Sequence, residues 1–166
     1  MNESAPDTRE QASAQIPALH LLANLGWRYL GVAECLALRG GTREVLLKPR
    51  LIELLKTRRF DYKGEHYPLS PSAIDQIVRE ISALPLGEGL LVANERLYQL
   101  LALGITVTEF MPDGKKHQPT IPVIDWTDPA ANLWDVTEEC EVLSTQGTHH
   151  RTPDIVAYVN GLPLVV

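Results

Sequence analysis

The sequence has few cysteines, and the two that it has lie far apart. Cys35 and Cys140 belong to no CxxC pair. Because a structural zinc site is built from clustered cysteine and histidine ligands, this spacing argues against a zinc-stabilised fold. We interpret both cysteines as buried apolar thiols in the interior of a domain.

Long apolar runs are also missing. No apolar run approaches the roughly 18 residues of a membrane-spanning helix, and no apolar N-terminal stretch follows a basic region. A cytoplasmic protein is the simplest interpretation of these absences. The phosphate-loop pattern GxxxxGK(S/T) is absent as well, so we expect no ATP site in this chain.

The sequence has fewer basic than acidic residues. The 166 residues include 15 lysines and arginines against 21 aspartates and glutamates, a formal net charge of −6. This balance weighs against a module that coats nucleic acid with its own basic surface, although a catalytic domain can be acidic when partner domains contact the phosphates. A hydrophobic content of 45% and a charged content of 22% are typical of one globular domain.

The first part of the chain predicts a helix followed by a strand. Residues 1–9 are polar and are expected to form a disordered leader before a domain over residues 10–166. Apolar residues at helical spacing predict a helix over 16–25. Residues 27–32 are typical of a short strand.

A helical insert is predicted at about 43–104. Within it, Ser70-Pro71 is a helix start signal, with serine as the N-cap and proline as the first helical residue. Lys56, Arg58 and Arg59 end one helical segment, where basic side chains suit the negative end of the helix dipole. This basic group is interpreted either as a solvated helix terminus or as a contact for nucleic-acid phosphate.

After Gly104 the residues alternate between apolar and polar, which is typical of β-strands. The strand candidates are 105–111, 120–126, 134–143 and 155–166. The Asn160-Gly161 dipeptide between two apolar runs predicts a hairpin with a two-residue turn. Together with the helices, this order predicts an α/β fold with a mixed or antiparallel sheet.

Asp154 is the residue best situated for chemistry. It stands at the head of an apolar strand, and the predicted hairpin brings the following strand back beside it. A carboxylate at a strand end suits Mg²⁺, which can activate water and stabilise charge on a phosphate. On the Pro-Asp pair alone, Asp154 is equally a turn residue that caps the strand entry. Arg151 has the alternative role of a surface ion-pair partner.

Residues 151–166 closely resemble part of the N-terminal nuclease region of the restriction (R) subunit of type I restriction enzymes. The family pattern is Arg-Pro-Asp-Ile-Val, two or three apolar residues, Asn-Gly and then Leu-Pro-Leu-Val-Val, and Thr152 is an insertion relative to it. The resemblance extends over about 15–166. Its other parts are the segments 18–30, 43–47, 124–126 with Asn132, and 136–139.

The resemblance implies a nuclease of the PD-(D/E)xK type, with a restriction-endonuclease-like mixed sheet that is flanked by helices and carries the helical insert. It implies that Asp154 binds a catalytic Mg²⁺. The family continues after Leu-Pro-Leu-Val-Val with Ile-Glu-Leu-Lys, so this chain is expected to stop before the last active-site strand is complete and to be inactive alone. Gln15 matches a helix position where such nucleases often carry a metal-reaching glutamate. Its alternative is a capping or surface role.

Several charged residues flank the Asp154 segment. Glu138, Glu139 and Glu141 lie on a predicted strand, where alternation puts Glu139 and Glu141 on one face and Glu138 on the other. Either one of them approaches the site, or all are exposed strand carboxylates. A polar loop with two adjacent histidines precedes Arg151, and we expect it to be flexible and near the DNA path. His150 and Arg151 are therefore candidate DNA contacts.

The resemblance implies that the whole protein is the DNA-cleaving subunit of a type I restriction-modification system. Its activity would be Mg²⁺-dependent endonucleolytic cleavage coupled to ATP-driven translocation. Its partners would be double-stranded DNA and the methyltransferase and specificity subunits, and its motor domains are not among these residues. The alternative is a non-catalytic DNA-binding or assembly module that has a nuclease-like fold.

Overall fold

A computed structural model describes residues 14–144 and 149–166 of the chain. The expected leader over residues 1–9 lies outside this described part. The chain divides into two compact units. One unit comprises Met1–Val45 and Trp134–Val166, and the other comprises Leu46–Leu133.

Five α-helices and twelve short strands occur in the described residues. The helices are α1 (Ile16–Asn24), α2 (Val32–Arg39), α3 (Lys48–Thr57), α4 (Pro71–Ser82) and α5 (Leu90–Leu103). The strands are β1 (Arg28–Tyr29), β2 (Arg59–Tyr62), β3 (Glu65–Pro68), β4 (Ile105–Thr106), β5 (Glu109–Phe110), β6 (Lys116–His117), β7 (Thr120–Ile121), β8 (Trp134–Glu138), β9 (Val142–Leu143), β10 (His150–Arg151), β11 (Ile155–Val159) and β12 (Leu162–Val165). Over the described ranges, no helix is long and apolar enough to cross a membrane.

The first unit begins with α1, as the sequence predicts. The strand predicted over 27–32 is wrong in its second half, because β1 is only Arg28–Tyr29 and Val32 already begins α2. The buried positions of α2 are Cys35 and Arg39, one helical turn apart. Since one of these two positions is charged, α2 lacks the apolar stripe by which an amphipathic helix is identified in a sequence.

The sheet of the first unit has the order β1-β8-β11-β12. β1 runs parallel to β8, while β8 and β11, and β11 and β12, pair antiparallel. The predicted mixed sheet is therefore confirmed. Val136 of β8 and Tyr158 of β11 are among its fully enclosed side chains.

The Asn160-Gly161 hairpin is confirmed. Val159 pairs with Leu162, which leaves a two-residue loop, and the φ angles of Asn160 and Gly161 are +56° and +80°. Two positive φ values define the type I′ turn that matches the twist of paired strands, and only residues such as asparagine and glycine adopt them easily. The turn directs β12 back along β11, toward the end of β11 where Asp154 lies.

The second unit contains α3, α4, α5 and the strand pairs β2–β3, β4–β7 and β5–β6. The start of α4 follows the predicted signal, because the Ser70 hydroxyl accepts the Ala73 N–H at 3.2 Å and Pro71 is the first helical residue. The buried face of α4 carries Ala73, Ile74, Ile77 and Ile81. These side chains anchor the helix in the core of this unit.

The alternating segment after Gly104 forms short strands in the second unit. β4 pairs with β7, and β5 pairs with β6, so the strands predicted over 105–111 and 120–126 are present but reduced to two residues each. A Cβ on Gly104 would lie 2.7 Å from the Ile121 carbonyl oxygen, which explains the glycine at this close approach. The unit thus extends beyond the 43–104 range of the predicted insert.

The arginines that end α3 have intramolecular partners. Arg58 reaches Asp125 at 3.5 Å and Asn132 at 3.4 Å, and Arg59 donates to three backbone carbonyls at the end of the helix. The Asn132 side chain also accepts the Asp125 N–H and donates to the Asp125 carbonyl, both at 2.8 Å. These hydrogen bonds hold the loop between residues 124–126 and Asn132 in one conformation. We call them the loop lock, and the segment is part of the family resemblance.

Candidate active site

Asp154 lies at a bend immediately before β11, and its side chain is exposed. Its carbonyl oxygen accepts the Glu139 N–H at 3.2 Å, and the Pro153 carbonyl accepts the Cys140 N–H at 3.3 Å. Within residues 14–144 and 149–166, no group donates a hydrogen bond to the Asp154 carboxylate. The backbone of this residue is thus fixed against the neighbouring strand, and its carboxylate faces solvent.

The end of β8 carries two of the three glutamates singled out in the sequence. Glu138 accepts the Tyr29 hydroxyl at 2.6 Å, and this hydrogen bond raises the pKa of Tyr29 to about 12. Glu139 leaves the strand with a φ of +47°, so the predicted alternation of faces does not continue through it. Glu139 is therefore the glutamate whose backbone pairs directly with that of Asp154.

The third glutamate belongs to a small hairpin next to the site. The Glu141 carboxylate lies 2.7 Å from Nδ1 of His150, and β9 pairs with β10 in antiparallel register. Arg151, the other residue of β10, is exposed. Residues 145–148 of the histidine-containing loop, which we expected to be flexible, lie outside the described residues.

The helix α1 lies against the same end of the sheet. Gln15 immediately precedes α1, has helical backbone angles and is half-buried. An open cleft of about 260 Å³ lies between α1 and the strands. Its walls include Ile16 and His20 from α1, Tyr29 from β1 and Glu138 from β8. The N-terminal turn of α1 is therefore near the Glu138 end of β8, although no described contact joins Gln15 to Asp154.

The donor set for a cation is partial. Asp154 offers a hard oxygen ligand that no described group occupies, which suits Mg²⁺. Over the described ranges, however, no cluster of three or more histidine, cysteine, aspartate or glutamate side chains is arranged to hold a metal ion. Of the described residues, Asp154 can thus supply one ligand to Mg²⁺, and a complete site would need further oxygen donors.

Two features of the first unit escaped the sequence analysis. Tyr29 is one, because its partner Glu138 is far away in the chain. The other is the surroundings of the cysteines: both are free and buried, as predicted, but they contact Arg39 and the Tyr158 hydroxyl rather than purely apolar side chains. No signal in the sequence pairs these residues, since they meet only after the sheet forms.

Comparison with known proteins gives two matches. A family model described as type I restriction enzyme R protein N terminus matches residues 7–166. The type I restriction enzyme HindI endonuclease subunit of Haemophilus influenzae is 31% identical over 153 residues, which cover 89% of this chain. The chain spans 14% of the length of that relative.

Proposed function

Because the chain belongs to the family of type I restriction enzyme R protein N termini, we propose that it is the nuclease part of a DNA-cleaving R subunit. In this proposal Asp154 is a ligand of the catalytic Mg²⁺. The observation that carries it is the register of the β11–β12 hairpin beside the exposed Asp154 carboxylate.

The register gives a geometric test of the family pattern. Ala157 pairs with Val165 across the antiparallel hairpin. The register shifts between Ala157 and Tyr158. If the register of the Ala157–Val165 pair continues beyond this shift, Val166 pairs with Val156, and the second position after Val166 lies opposite Asp154. The family pattern implied by the resemblance, Ile-Glu-Leu-Lys, has its glutamate at that second position. Directly opposed residues have Cβ atoms about 4.5–5.5 Å apart on the same face, close enough for two carboxylates to share one ion.

The lysine of the same pattern would follow two positions later, on the same face of the strand. A bound Mg²⁺ would activate water and neutralise charge on the phosphate. The chain's own residues supply a fixed backbone at Asp154 and an exposed guanidinium at Arg151, which suits phosphate. His150 adds a second DNA contact, held by Glu141. Gln15, at the start of α1, is a candidate neutral ligand through its amide oxygen.

The remaining functions of the R subunit are proposed for the parts of the protein beyond these residues. They are ATP-driven translocation of double-stranded DNA and assembly with the methyltransferase and specificity subunits. This assignment is consistent with the lack of a phosphate-loop pattern here and with the small share of the relative that the chain spans. Since the proposed substrate is DNA inside the cell, we propose that the complex works in the cytoplasm.

The second candidate function is a non-catalytic DNA-binding or assembly module. It is favoured by one observation, namely that the described residues hold no cluster of three or more metal-ligating side chains. Such a module would bind DNA or partner subunits through the same fold without any need for a carboxylate at residue 154. The two functions therefore differ in what the Asp154 carboxylate does.

The test is a matched pair of substitutions in the whole R subunit assembled with its partner subunits. Asp154→Asn removes the proposed ligand, and Asp75→Asn removes an equally exposed carboxylate on α4. We expect Asp154→Asn to lower plasmid cleavage in Mg²⁺ by at least about 100-fold, while Asp75→Asn cuts normally. Calorimetric titration with Mn²⁺ should show weaker binding by Asp154→Asn alone. Normal cleavage by Asp154→Asn would refute the proposal, and assembly without cleavage by the wild type would support the module.

A further inference from the structure

A buried polar cluster joins α2 to the central strands of the sheet. The Arg39 guanidinium lies 3.1 Å from the Cys140 sulfur, through Nη1. The Tyr158 hydroxyl contacts both cysteines, at 3.5 Å from the Cys140 sulfur and 3.9 Å from the Cys35 sulfur. All four residues are at most 4% exposed. A charged side chain is rarely buried to this degree.

The position of Arg39 points to a negative charge on Cys140. Its other partners are the backbone carbonyls of Glu44, Glu141 and Thr42, and no carboxylate within the described residues pairs with it. A buried cation is costly unless a counter-charge lies beside it. Among the partners of the guanidinium in residues 14–144 and 149–166, only the Cys140 sulfur can supply this charge, as a thiolate.

The two cysteines are held in different electrostatic environments. The hydrogen bond from the Cys35 thiol lowers the pKa of Cys140, and Tyr158 and Arg39 lower it further against the opposing effect of burial. The hydrogen bond to Cys140 and burial both raise the pKa of Cys35. Because the thiolate is the nucleophilic form of cysteine, Cys140 is the attacking sulfur and Cys35 remains a neutral thiol beside it.

A small cavity gives a reagent access to this pair. Cys35, Cys140, Arg39 and Thr137 line it, together with the exposed Leu36 and Glu141, and its volume is about 50 Å³. A cavity needs roughly 10–15 Å³ of such volume to admit one water molecule. Hydrogen peroxide, which is slightly larger than water, can therefore enter, whereas larger thiol reagents are disfavoured.

We propose that Cys140 and Cys35 form a peroxide-reactive pair that closes to an intramolecular disulfide. The Cys140 thiolate attacks one oxygen of hydrogen peroxide, the O–O bond breaks, and hydroxide leaves with the electron pair. This produces a sulfenic acid on Cys140. The Cys35 sulfur then attacks the Cys140 sulfur, the S–O bond breaks, and the hydroxyl leaves with the Cys35 proton as water. Two thiols are oxidised to one disulfide, and peroxide is reduced to two waters. The proposal does not depend on the nuclease function.

The chain has only two cysteines, so the reaction can be counted directly. Peroxide is added to the reduced, chelator-treated chain, and free thiols are then titrated in denaturant. We expect the count to fall from two to none, with a loss of two hydrogens in the intact mass and a monomer on a non-reducing gel. The proposal would be overturned if both thiols stayed free at a peroxide concentration that oxidises free cysteine. It would also be overturned if the only products were intermolecular dimers.

Variants separate the roles of the two sulfurs. Cys35→Ala should stop at the sulfenic acid on Cys140, which dimedone labels once the protein is unfolded in denaturant, and Cys140→Ala should leave Cys35 unreacted. Equal labelling of the two variants would contradict the assigned roles. Arg39→Met should slow oxidation by about tenfold, because it removes the counter-charge of the thiolate. Arg43→Met removes an exposed arginine nearby and should not change the rate. A circular dichroism spectrum shows whether Arg39→Met folds. If it does not, the comparison of the two cysteine variants still tests the assigned roles of the two sulfurs.

Discussion

The Glu139 amide donates to the Asp154 carbonyl oxygen at 3.2 Å, one step beyond the last regular pair of β8 and β11. The Cys140 amide makes the next such bond, to Pro153 at 3.3 Å. The pairing of the two central strands therefore continues past their regular ends and fixes the backbone of Asp154. If Asp154 is a metal ligand, as proposed, its fixed backbone lowers the conformational entropy that is lost on binding the ion, which favours a preorganised site.

The first prediction concerns residues 1–166 as an isolated protein. Because its described residues contain no cluster of three or more metal-ligating side chains, we expect weak Mg²⁺ binding and no DNA cleavage. Calorimetry and a plasmid-nicking assay on purified protein measure both. Under the proposed function, a longer R subunit that carries the Ile-Glu-Leu-Lys pattern should bind Mg²⁺ more tightly. Cleavage by residues 1–166 that needs Mg²⁺ and disappears on Asp154→Ala would show that this prediction is wrong.

The second prediction tests the turn that directs β12 toward Asp154. Gly161→Ala forces a side chain into a φ of +80°, and we expect it to cost about 1–2 kcal/mol in the free energy of unfolding. Gly87→Ala is the control, because Gly87 has an ordinary φ and a Cβ there would meet nothing within 4 Å. Denaturant titration compares the two. Equal stabilities would mean that the type I′ geometry is not needed.

The third prediction concerns the loop lock in the second unit. Asn132 is buried, and its amide makes both hydrogen bonds of the Asp125 backbone. Asn132→Ala leaves these groups unsatisfied and should cost about 2–3 kcal/mol. Asn94→Ala removes an exposed amide from α5 and should be nearly neutral. A thermal or urea melt in which both variants behave alike would argue against the lock.

The fourth prediction is a dependence of stability on pH. The pKa of Tyr29 is raised from 10.0 to about 12 by its hydrogen bond to Glu138. A group whose pKa is higher in the folded state stabilises that state below the unfolded pKa and loses this effect as the pH rises through the folded pKa. The contribution is therefore complete below pH 10.0 and declines toward pH 12.

Ultraviolet titration of the phenols and melts between these pH values test this dependence. Glu138→Gln removes the charge that holds the Tyr29 proton, so the pKa of Tyr29 should fall toward its ordinary value. Tyr29→Phe should abolish this loss of stability at high pH. Tyr98→Phe, which removes an exposed phenol from α5, should retain it. An unchanged titration curve in Glu138→Gln would be incompatible with the hydrogen bond as its cause.

The features predicted correctly from the sequence are those determined by neighbouring residues. The Asn160-Gly161 turn and the Ser70 cap of α4 depend on a few adjacent positions, so their backbone geometry is encoded locally. The pairing of β11 and β12 could be predicted because two apolar runs flank the Asn160-Gly161 dipeptide. Helix α2 could not, since its buried face consists of Cys35 and Arg39 and becomes recognisable only when the sheet is present.

The same distinction applies to the candidate site. Asp154 could be singled out as a candidate because its Pro-Asp pair, the apolar strand and the hairpin follow the order of the family pattern. The positive φ of Glu139, which ends the alternation of β8, has no local signal such as glycine or asparagine. The Tyr29–Glu138 bond and the Arg39–Cys140 contact join residues about a hundred positions apart. Long-range contacts of this kind depend on topology, which a single sequence specifies only indirectly.

The insertion of the second unit between Val45 and Trp134 has a consequence for how the protein folds. The strands β8, β11 and β12 are close in sequence and can pair at a low entropic cost of loop closure. The parallel pair of β1 and β8 instead joins Arg28 to Asp135, across a loop that contains the whole second unit. Contacts of such large separation form late and slow the folding rate. We therefore expect β1 to be the last strand of the sheet to acquire protection from amide hydrogen exchange during refolding.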